Sequence, residues 1–207
     1  ARESYLTQSD WTTTTAADTQ IFAARVTPSL YRLGTGQQRW LTPMAYAATC
    51  FRRWRGTICF RIKVLNSQYH KGRLIVTWDP VASVAPSSYS RIYTHIFDIS
   101  EDNDLTFEIP WMQAKAYEST DRLFVANNYN NGTTVLTTNN YDNGIFTIRV
   151  YSRLTAPVQT APIKVLVFVK AKDINFVDPE ALPLDMSPFE QQSQEYDLSA
   201  KVIQIGP

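Results

Sequence analysis

Cysteine, histidine and glycine are scarce in this 207-residue sequence, at two, two and seven copies. Each scarcity removes a class of protein. Cys50 and Cys59 form no C-x-x-C and neither lies near a histidine at metal-ligand spacing, so zinc and redox readings fall away and two reduced thiols in a cytosolic setting are expected. With only His70 and His95, general-base chemistry has few places to reside. No G-x-S-x-G is present, so no strained strand-to-helix turn presents a serine nucleophile. Neither end carries the run of Lys and Arg that a nucleic-acid-condensing arm would show. No wholly apolar run exceeds five residues, far below the ~20 needed to cross a bilayer as a helix. The opening "ARESYLTQSDW" has no initiating Met and no charged-then-apolar layout, so a piece cut from a longer precursor is expected rather than a secretory leader.

Negative charge is missing over a long stretch as well. No Asp or Glu occurs between Asp18 and Asp79, and residues 1–78 hold 11 basic against 3 acidic side chains, while residues 79–207 hold 9 against 16. The net charge of +1 gives no general pull toward nucleic acid or an anionic membrane. The asymmetry therefore calls for an explanation in space.

What is present is alternation. In "TICFRIKV" Ile58, Phe60, Ile62 and Val64 point one way and Thr57, Cys59, Arg61 and Lys63 the other. "DLTFEIP" repeats the pattern, and Pro110 ends it because proline cannot donate to a strand ladder. "TQIFAARVTP", "KGRLIVTWDP", "RIYTHIFDIS", "NGIFTIRVYSR" and "PIKVLVFVKAK" are further runs of β-branched and aromatic residues between Gly, Pro, Asn or Asp. A shorter strand near "ESYLTQSDW" brings the count to eight. "TPMAYAATCF" alone reads as helix, with Thr42 as its cap and Pro43 in its first turn.

Eight antiparallel strands with long irregular connections predict an all-β, eight-stranded antiparallel jelly-roll β-sandwich of two four-stranded sheets, with one short helix. Lettered B to I along the chain, the sheets run B-I-D-G and C-H-E-F, so neighbours come from opposite halves of the sequence. Charge asymmetry along the chain then becomes complementarity between strands. Arg61 or Lys63 is expected beside Glu108.

Residues 51 to 80, "FRRWRGTICFRIKVLNSQYHKGRLIVTWDP", followed by "THIFDISEDNDLTFEIPWMQAKAY", resemble the coat proteins of picorna-like viruses (order Picornavirales), nearest the dicistrovirus and marine algal RNA virus branch. In that family a Trp-Arg-Gly opens strand D, here Trp54, Arg55 and Gly56. A His-x-Gly-Arg-Leu turn joins D to E, here His70, Gly72 and Arg73, and an acidic turn precedes a strand ending in Pro-aromatic, here Pro110 and Trp111. The resemblance spans residues 1 to 172 in element order. It implies a polyprotein cleavage product that joins sister capsid proteins in an icosahedral shell around single-stranded RNA, assembled in the host cell cytoplasm. Contact with genomic RNA on the inner face and with a host receptor outside go with it. Some insect relatives carry an Asp-Asp-Phe triplet linked to maturation cleavage; this sequence has none, which leaves a cleavage role for this chain unsupported.

Other constellations yield to plainer readings. His70, Lys71 and Arg73 could contact phosphate or a receptor or sense pH, but read as a connector in which Gly72 supplies a backbone conformation other residues resist. His95 reads as a partly buried, hydrogen-bonded strand residue. Glu101, Asp102 and Asp104 could bind a cation, yet their flanking strands make them a short acidic hairpin turn. Arg52, Arg53, Trp54 and Arg55 could stack on and grip nucleic acid, but packing of Trp54 and pairing of the arginines with strand-end carboxylates or a neighbour is the preferred reading. "NNYNNGTTVLTTNNYDNG" reads as an exposed polar loop with two Asn-Gly turns, and its Asn131-Gly132-Thr133 acceptor pattern is idle without a secretory signal.

Two domains are expected. Residues 1–172 form the jelly roll, and residues 173–207, with seven acidic side chains, four prolines and one lysine, form an extended arm. Phe176, Val177, Leu182, Leu184, Met186, Phe189 and Ile203 would anchor that arm on neighbouring subunits. No cofactor and no catalytic residue is assigned. The rival reading is a jelly-roll carbohydrate-binding module or lectin, with a glycosidase behind it. It requires some of Trp11, Trp40, Trp54, Trp78 and Trp111 exposed in a line or cleft.

Overall fold

The computed structural model describes residues 2–34, 38–81, 93–124, 128–156 and 162–181. Alternating apolar side chains build two facing sheets. One has the order β1 (Ser4–Trp11), β12 (Ile163–Pro179), β5 (Phe51–Leu65), β8 (Asp104–Ile109), with the short β9 (Glu118–Ser119) also on β5. The other runs β10 (Tyr129–Asn130), β2 (Gln20–Arg25), β11 (Ile145–Thr155), β6 (Lys71–Asp79), β7 (Tyr93–Asp98). Pairing is antiparallel throughout, and the eight long strands follow jelly-roll order. A hairpin of β3 (Tyr31–Leu33) and β4 (Arg39–Leu41) stands apart.

The core is the interdigitation of the two inner faces. Ile58, Phe60, Ile62 and Val64 of β5 are all buried, as are Val165, Val167 and Val169 of β12 and Phe146, Ile148 and Val150 of β11. Phe60 stacks on Phe146 from the opposite sheet, centroids 4.3 Å apart and planes within 6°. Cys59, expected on the wet face, is buried between its register partners Lys170 and Glu108. Lys and Glu carry long apolar stems that can cover a small neighbour while their charges stay wet.

The helix α1 (Pro43–Ala48) lies in the connection between β4 and β5. Thr42 Oγ1 accepts from Ala45 N at 3.2 Å and donates to Leu30 O at 2.8 Å, so one side chain caps the helix and ties it down. The helix stops at Ala48 because Phe51 already enters β5.

The expected boundary at Lys172 is not a break. β12 continues to Pro179, with Asn175, Phe176 and Val177 opposite Arg55, Trp54 and Arg53, and Phe176 stacks on Phe51 of the same chain at 5.4 Å. Phe176 therefore packs on this chain's own sheet, and Val177 pairs within it. The register slips between Lys172 and Asn175, where a Cβ on Gly56 would stand 2.6 Å from Ile174 Cα. Glycine at position 56 lets the bulged backbone approach. The remaining arm anchors, Leu182 to Ile203, lie outside the described residues.

Candidate functional site: the two ends of the sandwich

Strand ends bring the singled-out residues to two opposite ends of the molecule. At one end, the turn after β5 and the turn before β8 each carry the chain from one sheet to the other. Because β7 and β8 belong to different sheets, "SEDND" is a crossover and not the hairpin expected. Asp98 organises it, accepting Ser100 N at 2.9 Å, the Ser100 hydroxyl, and Arg73 Nε at 2.8 Å. The Ser100 hydroxyl and Arg73 hold its carboxyl down to about 2. Opposite it, Ser67 closes a turn onto His70 through an Oγ to Nδ1 hydrogen bond of 2.8 Å and a backbone bond from His70 N to Ser67 O of 3.0 Å. His70 and Arg73 thus hold a corner together.

Gly72 is required here for room rather than conformation. Its φ is not positive, but a Cβ would stand 2.7 Å from Trp11 Cη2 and 3.3 Å from Leu154 Cα. A polar cleft of about 300 Å³ lies between the two turns, lined by Asn66, Ser67, Gln68, Ser100, Glu101 and Asp102. Glu101, Asp102 and Asp104 do not converge in it. Asp104 is bound to Arg61 through two bonds of 2.7 and 2.5 Å, and no group of three His, Cys, Asp or Glu able to hold a metal occurs among the described residues.

The cross-strand pairing differs from expectation in its partner. Arg61 has Asp104 and Glu108 on its two diagonals across the β5–β8 ladder. It takes Asp104, where Lys63 stands directly opposite, and also donates to Glu3 at 2.8 Å. Glu108 instead accepts from Lys172 of β12 at 2.9 Å. Of the twelve ion pairs among the described residues, six join a cation from residues 1–78 to a carboxylate beyond. Interleaving thus brings six of the early cations beside later carboxylates. His95, expected partly buried, is exposed because β7 is an edge strand.

At the other end, β5 begins with Phe51, so Trp54-Arg55-Gly56 sits inside the strand. Trp54 is fully buried, donates to Tyr141 O at 3.2 Å and meets Trp111 edge-on at 5.1 Å. The arginines turn outward. Arg52 grips Glu180 through two bonds of 2.5 and 3.0 Å, Arg53 pairs with Asp178 at 3.3 Å, and Arg122 binds Glu180 as well. The Arg52 hydrogen bond, then Arg122, holds the Glu180 carboxyl down to about 2. Arg55 stays exposed.

The polar loop is not free-standing. Gln20 Nε2 donates to Gly132 O and Thr134 O at 2.7 and 2.9 Å, Arg25 Nε to Thr137 O at 3.0 Å, and Asn131 Nδ2 to Thr7 Oγ1 at 2.7 Å. Its second Asn-Gly is buried. Asn143 donates to Pro110 O, accepts at its carbonyl from Trp78 Nε1 at 2.8 Å, and donates its backbone N–H to Val26 O. Asp142 beside it has no exposed side-chain surface; it accepts Asn139 N and Gly144 N and stands 3.7 Å from Arg25. Burial pushes its carboxyl up to about 6. In a sequence this latch looks like any polar turn. Only the position of Asp142 one turn before a long apolar strand could have marked it.

The tryptophans decide against a sugar platform. Trp11, Trp54 and Trp78 are buried, Trp111 packs on the core, and only Trp40 is exposed. One exposed indole makes no line.

No family model matches the chain. In sequence it is similar to the genome polyprotein of Deformed wing virus, 30% identical over 84 residues, covering 38% of this chain and 3% of that polyprotein. It is also similar to the genome polyprotein of Avian encephalomyelitis virus (strain Calnek vaccine), 27% identical over 192 residues, covering 88% of this chain and 8% of the polyprotein. The chain therefore spans only a small part of these relatives. In fold it is similar to a chain of a marine algae virus of the order Picornavirales, with a TM-score of 0.84 and 28% identity, covering 91% of this chain and 76% of that one. A chain of an Israel acute Paralysis Virus pentamer shares the fold at a TM-score of 0.69 and 22% identity, covering 88% and 71%.

Proposed function

From its kinship with the capsid proteins of picorna-like viruses, we propose that this chain is a structural capsid protein of a small icosahedral positive-strand RNA virus. The observation that carries the reading is the match to a Picornavirales virus chain over 91% of the length at a TM-score of 0.84. The role is mechanical and not catalytic. A slab of two packed sheets resists deformation, and symmetry multiplies individually weak contacts with sister capsid proteins into a closed particle. Within this reading the inner face meets genomic RNA, the outer surface meets a host receptor, and the particle assembles in the host-cell cytoplasm. The arm is the segment that follows β12, which ends at Pro179, and its more distal part reaches neighbouring subunits.

Electron microscopy of the native assembly tests this directly. A closed icosahedral particle containing this chain and its sisters is expected. A solitary monomer that grips a sugar or turns over a small molecule would overturn it.

A further inference from the structure

The end of β12 is held by a clamp that points to a docking strip. Glu180 N donates to Cys50 O at 2.9 Å, and Arg122 donates through Nε to Thr49 O at 2.9 Å and through Nη2 to Ala181 O. The chain is thereby fixed next to the loop that carries Leu123. Leu123 is 54% exposed, and its carbonyl accepts from Arg39 Nη1 at 3.1 Å. Leu33, 53% exposed, is the register partner of Arg39 in the β3–β4 hairpin, and directly paired residues share a face. The strip rests on a firm base, a satellite core of Tyr31, Ala45 and Phe124 in which the Tyr31 ring meets Phe124 edge-on at 4.9 Å.

Two half-bare leucines on either side of the exposed Arg39 suit an extended segment that mixes apolar and acidic side chains. The sequence that follows Ala181 is such a segment. Residues 182–190 carry Leu182, Leu184, Met186 and Phe189 together with Asp185 and Glu190, and no cation. These nine residues reach up to roughly 30 Å, about three times the roughly 10 Å of a three-residue strand. Tethering at Ala181 makes the encounter intramolecular and so raises its effective concentration. Pro183 and Pro188 reduce the freedom lost on docking.

We propose that residues 182–190 dock in cis on the Leu33–Arg39–Leu123 strip of their own subunit, leaving residues 191–207 to reach a neighbour. The inference concerns the lone chain and stands or falls separately from assembly. Hydrogen exchange on the full chain at high dilution tests it. Amides within 184–190 should exchange about tenfold more slowly than an unstructured reference. That slowing should vanish both in Leu33→Ser/Leu123→Ser and in Asp185→Lys, the second of which leaves the folded sandwich untouched. Exchange at the reference rate in the unaltered chain, or protection that survives both variants, would overturn the proposal. So would protection that grows with protein concentration, since it would assign the strip to another copy.

Discussion

Gly72 and Asp142 show how single residues set the tolerance of this sandwich. A Cβ at position 72 meets the Trp11 indole and the Leu154 backbone, and a rigid ring pressed from behind by a strand gives little. Gly72→Ala is therefore expected to destabilise the fold by roughly 1–3 kcal/mol, the usual range for overpacking a core, read as a lowered midpoint in urea. Asp142 acts through pH. Its carboxyl, raised to about 6 by burial, keeps a proton between about pH 4 and 6 that the unfolded chain has released. Stability from this group is thus greatest below pH 4 and falls as pH rises toward 6, by an order of 3 kcal/mol. An NMR titration of the Asp142 carboxyl should show a midpoint near 6, and Asp142→Asn should flatten the stability profile across that window. Asp98 has the opposite sign: its contribution is present above about pH 4 and is lost as pH falls toward 2.

Strands carry the next level of organisation, and the β5 ladder is the place to test it. Arg61 binds Asp104 rather than Glu108, so a double-mutant cycle should give a coupling of roughly 0.5–1 kcal/mol for Arg61 with Asp104 and none resolvable for Arg61 with Glu108. The end of β12 is held differently from its middle. Val165, Val167, Val169 and Ala171 lie in the core, whereas Phe176 to Glu180 depend on β5's first residues and the arginine clamp. Glu180→Gln is expected to speed amide exchange at positions 176–180 while leaving 165–171 unchanged, because local opening frees only the part whose contacts are lost. These elements were legible wherever one face is dry. The Ile58 to Val64 alternation and the Thr42-Pro43 helix start carry their own physical signals. The strand extension through Phe176 was not legible, because "DINFVDP" alternates poorly and pairs only where a bulge at Gly56 readmits it.

For the whole molecule, removing residues 186–207 is expected to weaken particle formation while the sandwich remains folded, since all of the described core precedes them. Thermal unfolding of the truncated chain and electron microscopy of its assemblies check the two halves of that expectation. Much about this protein followed from residue order alone: an all-β chain, two faces per strand, the positions of the corners, and a resemblance spread over many short motifs. Side-chain period and turn chemistry are local, and local preferences survive without a partner. Tertiary structure decided the rest. It chose Asp104 over Glu108 for Arg61, gave Gly72 its reason in Trp11, exposed His95 at an edge, and buried Asp142 and Asn143 in a segment that reads as solvent-facing. Those outcomes depend on which distant strand arrives alongside, and the free energy of burial belongs to the pair of surfaces that meet and not to either one before they do.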